Sequence, residues 1–454
     1  MTEPNVIKWW GAPLYQRTPP VLKINPKDPK ALELALLDLF PEEWIRQKAA
    51  ELGVVERHRK VDPVILFWTL VLGFGVGTQR QLSSLRRAYE LNTSSTIAPS
   101  SFYDRFTPEL VALLKAAVLR GISQAADPSR PLSDHLKDFS DVVAADGTIL
   151  RLHEALSGQW SGCRTNHSPA AIKLHVVSSV VGEGPRTVSL HPGRKAEVDT
   201  LSIGPWVKDR LLLFDLGFYK FQKFDAIKRN GGSFISRCKD NANPEIIATH
   251  MVWRGRSVEL TGKKLKEVLP LLKRDVIDAE VEVSFKRRVY AGKRTDATMR
   301  LRLVGVRNQE TKEYHLYLTN IPPDRLKAED VASMYGARWE IELLFKELKS
   351  VYALDVLPSS KPAVVESLIY VALLTLMASR RLLAVVRRRD PANAKRMTNL
   401  RWAEVFAAGA HRILDMVLAH MGLQQDSLEF IDLLSGQAID PNDGRERLSD
   451  RWLA

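Results

Sequence analysis

The chain has 454 residues, 45% of them hydrophobic and 26% charged, which is enough length and apolar content for a large core and excludes a disordered or collagen-like chain. Sixty-six Lys plus Arg against 53 Asp plus Glu leave a formal charge of +13, a surplus suited to a polyanionic partner, either nucleic acid or an anionic membrane. The two cysteines, Cys163 and Cys238, exclude a four-thiolate zinc site and a disulfide framework and fit a reducing cytoplasm.

Residues 1–13 carry Glu3, Trp9 and Trp10 and lack the basic-then-apolar layout of a secretion signal, so export is not expected. From there to about residue 135 the pattern is helical. Leu32, Leu34, Leu36, Leu37 and Leu39 share one apolar stretch, and Leu82, Leu85, Arg86 and Tyr89 follow at helical spacing. Thr107-Pro108-Glu109 is an N-cap with proline in the first helical position. Residues 79–91 and 100–106, with a Ser/Thr-rich turn between them, form either a DNA-binding helix pair or ordinary helical packing. The most apolar runs, 65–77 and 367–378, are thirteen and twelve residues long. Both fall short of the roughly 20 residues that span a bilayer, so core helices are expected, no membrane partner is expected, and the positive charge is assigned to nucleic acid.

The period changes at about residue 140. Val142-Val143-Ala144-Ala145 reads as a strand closing into a turn at Asp146-Gly147, and 148–153 and 173–180 read as further strands. Residues 196–210 read as mostly helical with a break at Pro205. Leu211-Leu212-Leu213-Phe214 is a buried strand ending at Asp215-Leu216-Gly217, followed by helix over 218–229 and strand over 232–238. Strand runs followed by alternating β and α segments predict a mixed α/β sheet. Between 251 and about 325, Ile277, Ala279, Val281, Val283 and Phe285 alternate with polar residues, and Met299–Val306 and Tyr314–Thr319 complete an antiparallel pattern with a turn at Gly292. This β-rich segment is basic, with Lys286-Arg287-Arg288 at its centre. Helix returns from Arg325 to the end, interrupted around 358–362 and at Asp390-Pro391.

Two carboxylates, Asp146 and Asp215, each end an apolar strand. Singly, each sits in a common turn sequence. As a pair at neighbouring strand ends they converge, and a divalent cation relieves their repulsion. Asp141 precedes its apolar run and falls at the opposite strand end. Tyr335, Arg338, Glu342 and Lys349, at offsets of three, seven and fourteen, share one helical face opposite Ala337, Ile341, Leu344 and Leu348. That face is either a solvated charged stripe with pairs such as Glu342–Lys346 or a site that presents a carboxylate between cations. His167, His175 and His191 have no ligand spacing, and there is no nucleotide-binding glycine loop. The arginine-rich stretch with Arg380, Arg381, Arg387, Arg388, Arg389, Lys395, Arg396, Arg401 and Arg412 is either a DNA-backbone surface or a solvated helix face.

Tyr335-x2-Arg338-x3-Glu342-x6-Lys349 resembles the YREK signature of a family of bacterial insertion-sequence DDE transposases, and Asp146 and Asp215 resemble that family's first and second aspartates. The resemblance implies an α/β fold similar to ribonuclease H with a β-rich insertion before the glutamate, flanked by helical regions. The chain then divides into a helical DNA-binding region (1–135), a first core part (136–250), the insertion (251–325), a second core part with the glutamate helix (326–390) and a helical tail (391–454). It further implies Mg²⁺, with Mn²⁺ able to substitute: Asp146 bridges two ions while Asp215 and Glu342 hold one each. Two such ions activate the nucleophile and stabilise the leaving 3′ oxygen in hydrolysis and strand transfer. Tyr335, Arg338 and Lys349 are implied to contact DNA phosphates near the cleaved end. Trp339 either stacks on a flipped base or packs in the core; Trp253 is a weaker stacking candidate. The implied partners are the element's terminal inverted repeats and target DNA, held by a homodimer that the tail helps to form, in the cytoplasm of a bacterial cell. The competing readings are a ribonuclease H-like nuclease without transposition and a catalytically inactive DNA-binding protein.

Overall fold

A computed structural model describes residues 24–422 apart from 55–60, 74–80, 94–96, 126–131, 133–135, 164–167, 183, 254–255, 273 and 288–295. The expectations for residues 1–13, His167, Gly292 and the tail beyond 422 lie outside the described residues.

The first region is helical: α1 (Ala31–Leu39), α2 (Glu42–Glu51), α3 (Pro63–Leu72), α4 (Leu82–Thr93), α5 (Pro99–Tyr103) and α6 (Pro108–Gln124). Two of these start as side-chain chemistry dictates. The Asp62 carboxylate accepts the Val64 and Ile65 amides ahead of Pro63, and the Thr107 hydroxyl accepts the Leu110 amide ahead of Pro108. At the α4–α5 pair, Arg86 and Glu90 bond the backbone of Ile97, and the Tyr89 and Phe102 rings lie 6.3 Å apart.

The strands are β1 (Asp141–Arg151), β2 (Ala171–Ser179), β3 (Pro185–Pro192), β4 (Arg210–Phe214), β5 (Ser233–Arg237), β6 (Glu245–Thr249), β7 (Val252–Trp253), β8 (Arg256–Ser257), β9 (Val276–Lys286), β10 (Asp296–Arg307) and β11 (Tyr314–Thr319), with α7 (Phe221–Arg229) and the single turn α8 (Leu265–Val268) between them. Nine form one sheet in the order β3-β2-β1-β4-β5-β11-β10-β9-β6. β1 runs parallel to β4, β4 runs parallel to β5, and β2, β3 and β11 are antiparallel to their neighbours. This is the expected mixed α/β architecture with helical flanks, consistent with a ribonuclease H-like fold. The central strands read as continuous apolar runs because both faces are covered. Val142, Ala144, Leu211 and Leu213 enter one core, and Val143, Ala145, Leu212 and Phe214 enter the other. The insertion strands β9–β11 extend this same sheet through β11 against β5.

Three local expectations are corrected. Asp146-Gly147 is not a turn: β2 pairs with every residue from Val143 to Arg151, which carries β1 straight through the dipeptide. Residues 196–210 hold two 3₁₀ turns, Glu197–Asp199 and Pro205–Val207, and the first residue of β4, because the Thr200 hydroxyl bonds the Glu197 carbonyl and Gly204-Pro205 interrupts further winding. β3 was not foreseen.

After the sheet come α9 (Ala328–Gly336), α10 (Trp339–Ser350), α11 (Pro362–Arg389) and α12 (Asn399–His420). The 28-residue α11 is long and apolar enough to cross a membrane, contrary to the count from its apolar run alone, but 94% of its apolar window is buried inside the protein. Its length comes from continuing through Arg380 and Arg381, which are buried: Arg380 pairs with Glu347 of α10 and Arg381 with Asp38 of α1. Arg387 bonds the Met397 carbonyl and Arg389 that of Pro26. Four of the nine basic residues of this stretch are thus bound within the protein, two of them in ion pairs between helices, while Lys395, Arg401 and Arg412 are exposed.

Candidate active site

β1 and β4 are paired in parallel from Asp141↔Arg210 to Ala145↔Phe214, and there the pairing stops. The next residues are Asp146 and Asp215. Two apolar runs that must be buried side by side thus deliver their two carboxylates to one point at the carboxyl edge of the sheet. β1 continues against β2, so Asp146 stands within a strand, while the chain leaves β4 at Asp215 and turns through a 3₁₀ turn, Leu216–Phe218.

Asp146 is largely buried, and its Oδ1 accepts the Gly147 amide at 2.7 Å. Burial, followed by the negative charges of Glu197 and Asp215, pushes its carboxyl up to about 7, against the lowering effect of that amide and of Arg338. Glu197 is shifted the same way, chiefly by burial, and lies close enough to Asp146 to act on it. It was not singled out from the sequence, since its segment read as helix and no neighbouring residue type marks it.

The third carboxylate arrives on α10, which packs across β1. Ala337, Ile341, Leu344 and Leu348 are all at most 4% exposed, so the apolar stripe read from the spacing is the buried one. The single helix expected over 335–349 is instead two, α9 and α10. The join is a tighter turn in which the Ala337 amide bonds Met334 O and the Arg338 amide bonds Tyr335 O. These i to i−3 bonds at Gly336 wind the chain faster than an α-helix. Glu342 lies in the first turn of α10, where the helix dipole favours a carboxylate. Its partner is Arg338, Nη2 to Oε1 at 2.6 Å, and not Lys346. Arg338 also acts electrostatically on Asp215 and Asp146, so one guanidinium stands among the three acids.

Glu342 is paired with Arg338, and the described residues contain no group of three His, Cys, Asp or Glu side chains placed to hold a metal ion. The chemistry of the donors nevertheless fits a hard divalent cation, since the carboxylates offer oxygen alone. A Cβ at Gly217 would stand 2.1 Å from Glu197 Oε2, so the bare backbone there is what lets the Glu197 carboxylate lie against it.

Tyr335 leans on Tyr317, ring centroids 5.1 Å apart, with the Arg338 guanidinium 5.8 Å from its ring. Burial raises its hydroxyl to about 12, so it is a neutral donor. Trp339 is 56% exposed, which removes the core-packing alternative. Lys349 is half-buried at the far end of α10, about 16 Å along the axis from Arg338 at 1.5 Å per residue. Trp253 lies on β7, and its side chain is outside the described residues. His175, beside Phe218 at 5.5 Å and held neutral by burial near a value of about 3, belongs to the core, and His191 bonds Ser189 Oγ.

Residues 137–378 match the family described as the transposase DDE domain. The chain is 22% identical over 355 residues to the transposase for insertion sequence element IS1151 of Clostridium perfringens, covering 72% of this chain and 75% of that protein. It is 22% identical over 368 residues to the transposase for IS231B of Bacillus thuringiensis subsp. berliner, covering 70% and 73%. A 73-residue stretch is 41% identical to the putative transposase InsL for IS186A of Escherichia coli K12, covering 16% of this chain and 20% of that one.

Proposed function

Since the chain belongs to the transposase DDE domain family and is thereby a DNA transposase, we propose that Asp146, Asp215 and Glu342 are its catalytic triad and that it cuts and joins the ends of an insertion sequence of the YREK-signature group. The observation that carries this reading is the β1–β4 register, which ends at Ala145↔Phe214 and leaves Asp146 and Asp215 adjacent, with α10 across β1. The three carboxylates would hold Mg²⁺, or Mn²⁺ in its stead. When bound, such ions supply the positive charge that activates the attacking oxygen and stabilises the leaving 3′ oxygen.

The residues of the chain itself do the rest. Arg338 is the cation that offsets the clustered acids and, by exchanging Glu342 for a phosphate oxygen, releases that carboxylate towards the two aspartates. Tyr335 donates a hydrogen bond from a hydroxyl that stays protonated. Lys349 contacts a phosphate further along the strand, at a distance set by three turns of α10. Trp339, exposed at the start of α10, stacks on a base at the cleaved end. Water as nucleophile nicks the end, and the freed 3′-OH then attacks the target strand, with two copies of the chain each holding one terminal inverted repeat.

The test is incubation with Mg²⁺ or Mn²⁺ and a duplex carrying the element's terminal repeats. Wild type is expected to nick at the repeat boundary and join the 3′ end to target DNA. Asp146→Asn, Asp215→Asn and Glu342→Gln are expected to shift the same duplex on a gel and leave it uncut. Cleavage by any of the three at the wild-type rate removes that residue from the site.

A further inference from the structure

Two faces of the sheet meet at Asp146. Along β1, Val142 and Ala144 enter the core that also holds Ile341 and Leu344 of α10, while Val143 and Ala145 enter the other. Side chains alternate along a strand, so Asp146 falls on the α10 side and Gly147 on the opposite one. Lys173 of β2 lies against that opposite face: a Cβ on Gly147 would be 3.7 Å from Lys173 Cγ. The Lys173 ammonium donates to the Lys195 carbonyl, and the Lys195 ammonium lies 3.2 Å from His191 Nδ1. His191 is buried, and burial, with the charges of Lys195 and Lys173 added, lowers it to about 4, so its ring is neutral. With Nδ1 accepting from Lys195, the ring N–H at Nε2 donates to Ser189 Oγ at 2.9 Å. A fixed imidazole thus aims Lys195. Lys223 of α7 donates to the Leu201 carbonyl, further along the same loop.

A buried cation loses hydration, and an opposite charge normally compensates. Elsewhere in this molecule it does: Arg186, Arg302 and Arg380 rest on the carboxylates of Asp141, Asp278 and Glu347. Lys173, Lys195 and Lys223 are partly buried too, yet the groups that hold them are two carbonyls and an imidazole. Glu197 acts on Lys173 and Asp199 on Lys223 electrostatically. Asp199 is the partner of Lys220, at 3.8 Å, and among the described residues no carboxylate stands within ion-pair distance of the other three lysines. An ammonium has three N–H donors, so each of them keeps donors to spare. An anion with several oxygens completes such a set, and a DNA strand offers one at every nucleotide.

We propose that Lys173 and Lys195 form a phosphate seat that holds the DNA backbone beside Asp146, on the face of the sheet opposite α10, with His191 as the positioning residue for Lys195. The strand is then gripped from both faces, by Arg338 and Lys349 on one and by this lysine pair on the other. The inference rests on the reading that Asp146 belongs to the reacting centre.

The experiment measures binding of the full-length protein to a fluorescent duplex carrying the element's terminal repeat, by anisotropy over a range of KCl and in EDTA, so that ion binding by the acids plays no part. Lys173→Ala and Lys195→Ala are each expected to reduce the slope of log binding constant against log salt by about 1, and Lys195→Arg to keep it. His191→Phe removes no charge, yet it is expected to reduce the slope as Lys195→Ala does, and His191→Gln, which restores an acceptor, to recover it. A purely structural His191 would lower the melting temperature and leave the slope unaltered, which overturns its positioning role. Slopes unchanged in both alanine variants but reduced in Lys349→Ala overturn the lysine seat and leave the α10 reading standing. Slopes unchanged in all three overturn both. If the variants fail to fold, as judged by circular dichroism, the wild-type protein is acetylated with and without the duplex and its lysines are read by peptide mass spectrometry. Protection of Lys173 and Lys195 by the duplex is expected, and acetylation of both at the DNA-free rate overturns the proposal.

Discussion

Asp141 and Asp146 stand five residues apart on β1, and the fold treats them in opposite ways. Asp141 is fully buried, yet it is compensated: Arg186 Nε donates to it at 2.8 Å and Ser179 Oγ at 2.6 Å. Asp146 is less buried but has no such pair of donors to its carboxylate, and its burial, with the charges of Glu197 and Asp215 added, pushes its carboxyl up to about 7. The same contrast recurs on α10, where Glu347 is sealed against Arg380 in the core and Glu342, at the helix start, pairs with a partly exposed Arg338. Charge that only supports the fold comes with its partner built in. On the reading proposed above, Asp146 and Glu342 instead serve a ligand, and they stand in the middle of the same strand and in the first turn of the same helix.

The comparison breaks most sharply in activity. Asp146→Asn is expected to lower end cleavage by on the order of 10³-fold or more, the equivalent of losing several kcal/mol of charge stabilisation at the scissile phosphate. Arg186→Met is expected to leave cleavage per folded molecule intact and to lower stability by about 3–5 kcal/mol, because it strands Asp141 without a partner. Urea unfolding followed by tryptophan fluorescence reads this, and a loss below about 1 kcal/mol would mean that Asp141 is not an uncompensated buried charge.

The proton on Asp146 makes a pH prediction of intermediate size. The folded value of about 7 lies above the usual carboxylate value, so the folded state keeps a proton that the unfolded state releases. Stability from this group is full below about pH 4, falls as pH rises towards 7, and is flat above, a span of a few kcal/mol. Glu197 adds to it with the same sign. Thermal melts from pH 4.5 to 8 are expected to show this decline in wild type and a shallower one in Asp146→Asn. A divalent cation must displace the same proton, so Mn²⁺ binding is expected to tighten from pH 6 to 8.

Two smaller effects sharpen the α10 half of the comparison. Trp339→Ala is expected to weaken binding of a nicked end by about 1–3 kcal/mol with the melting temperature unchanged, since the ring is exposed. A fall in melting temperature would assign it to packing instead. Lys349→Ala is expected to reduce the slope of log binding constant against log salt by about 1, whereas an unaltered slope would deny it a phosphate.

Much of this was legible from residue order. The alternation of Ile277 to Phe285, the doubly apolar runs before Asp146 and Asp215, and the Ala337-Ile341-Leu344-Leu348 stripe are local patterns, and each appears in the element that its period demands. What was misread depended on distant partners. Asp146-Gly147 reads as a turn until β2 is laid against it, and Arg380 and Arg381 read as surface until Glu347 and Asp38 close over them. The place of Glu197 had no signal, because it is set by two glycines far from it in the chain.

Sequence alone, then, determined which segments bury both faces, which helix carries a charged stripe, and which two aspartates follow apolar strands, since periodicity and hydrophobicity act between near neighbours. Only the tertiary structure decided that β1 and β4 end in register, that Arg338 claims Glu342, and that a loop carboxylate joins the aspartates. Those outcomes depend on the alignment of segments remote in the chain, and electrostatic interactions over a few ångströms have no expression in a linear order.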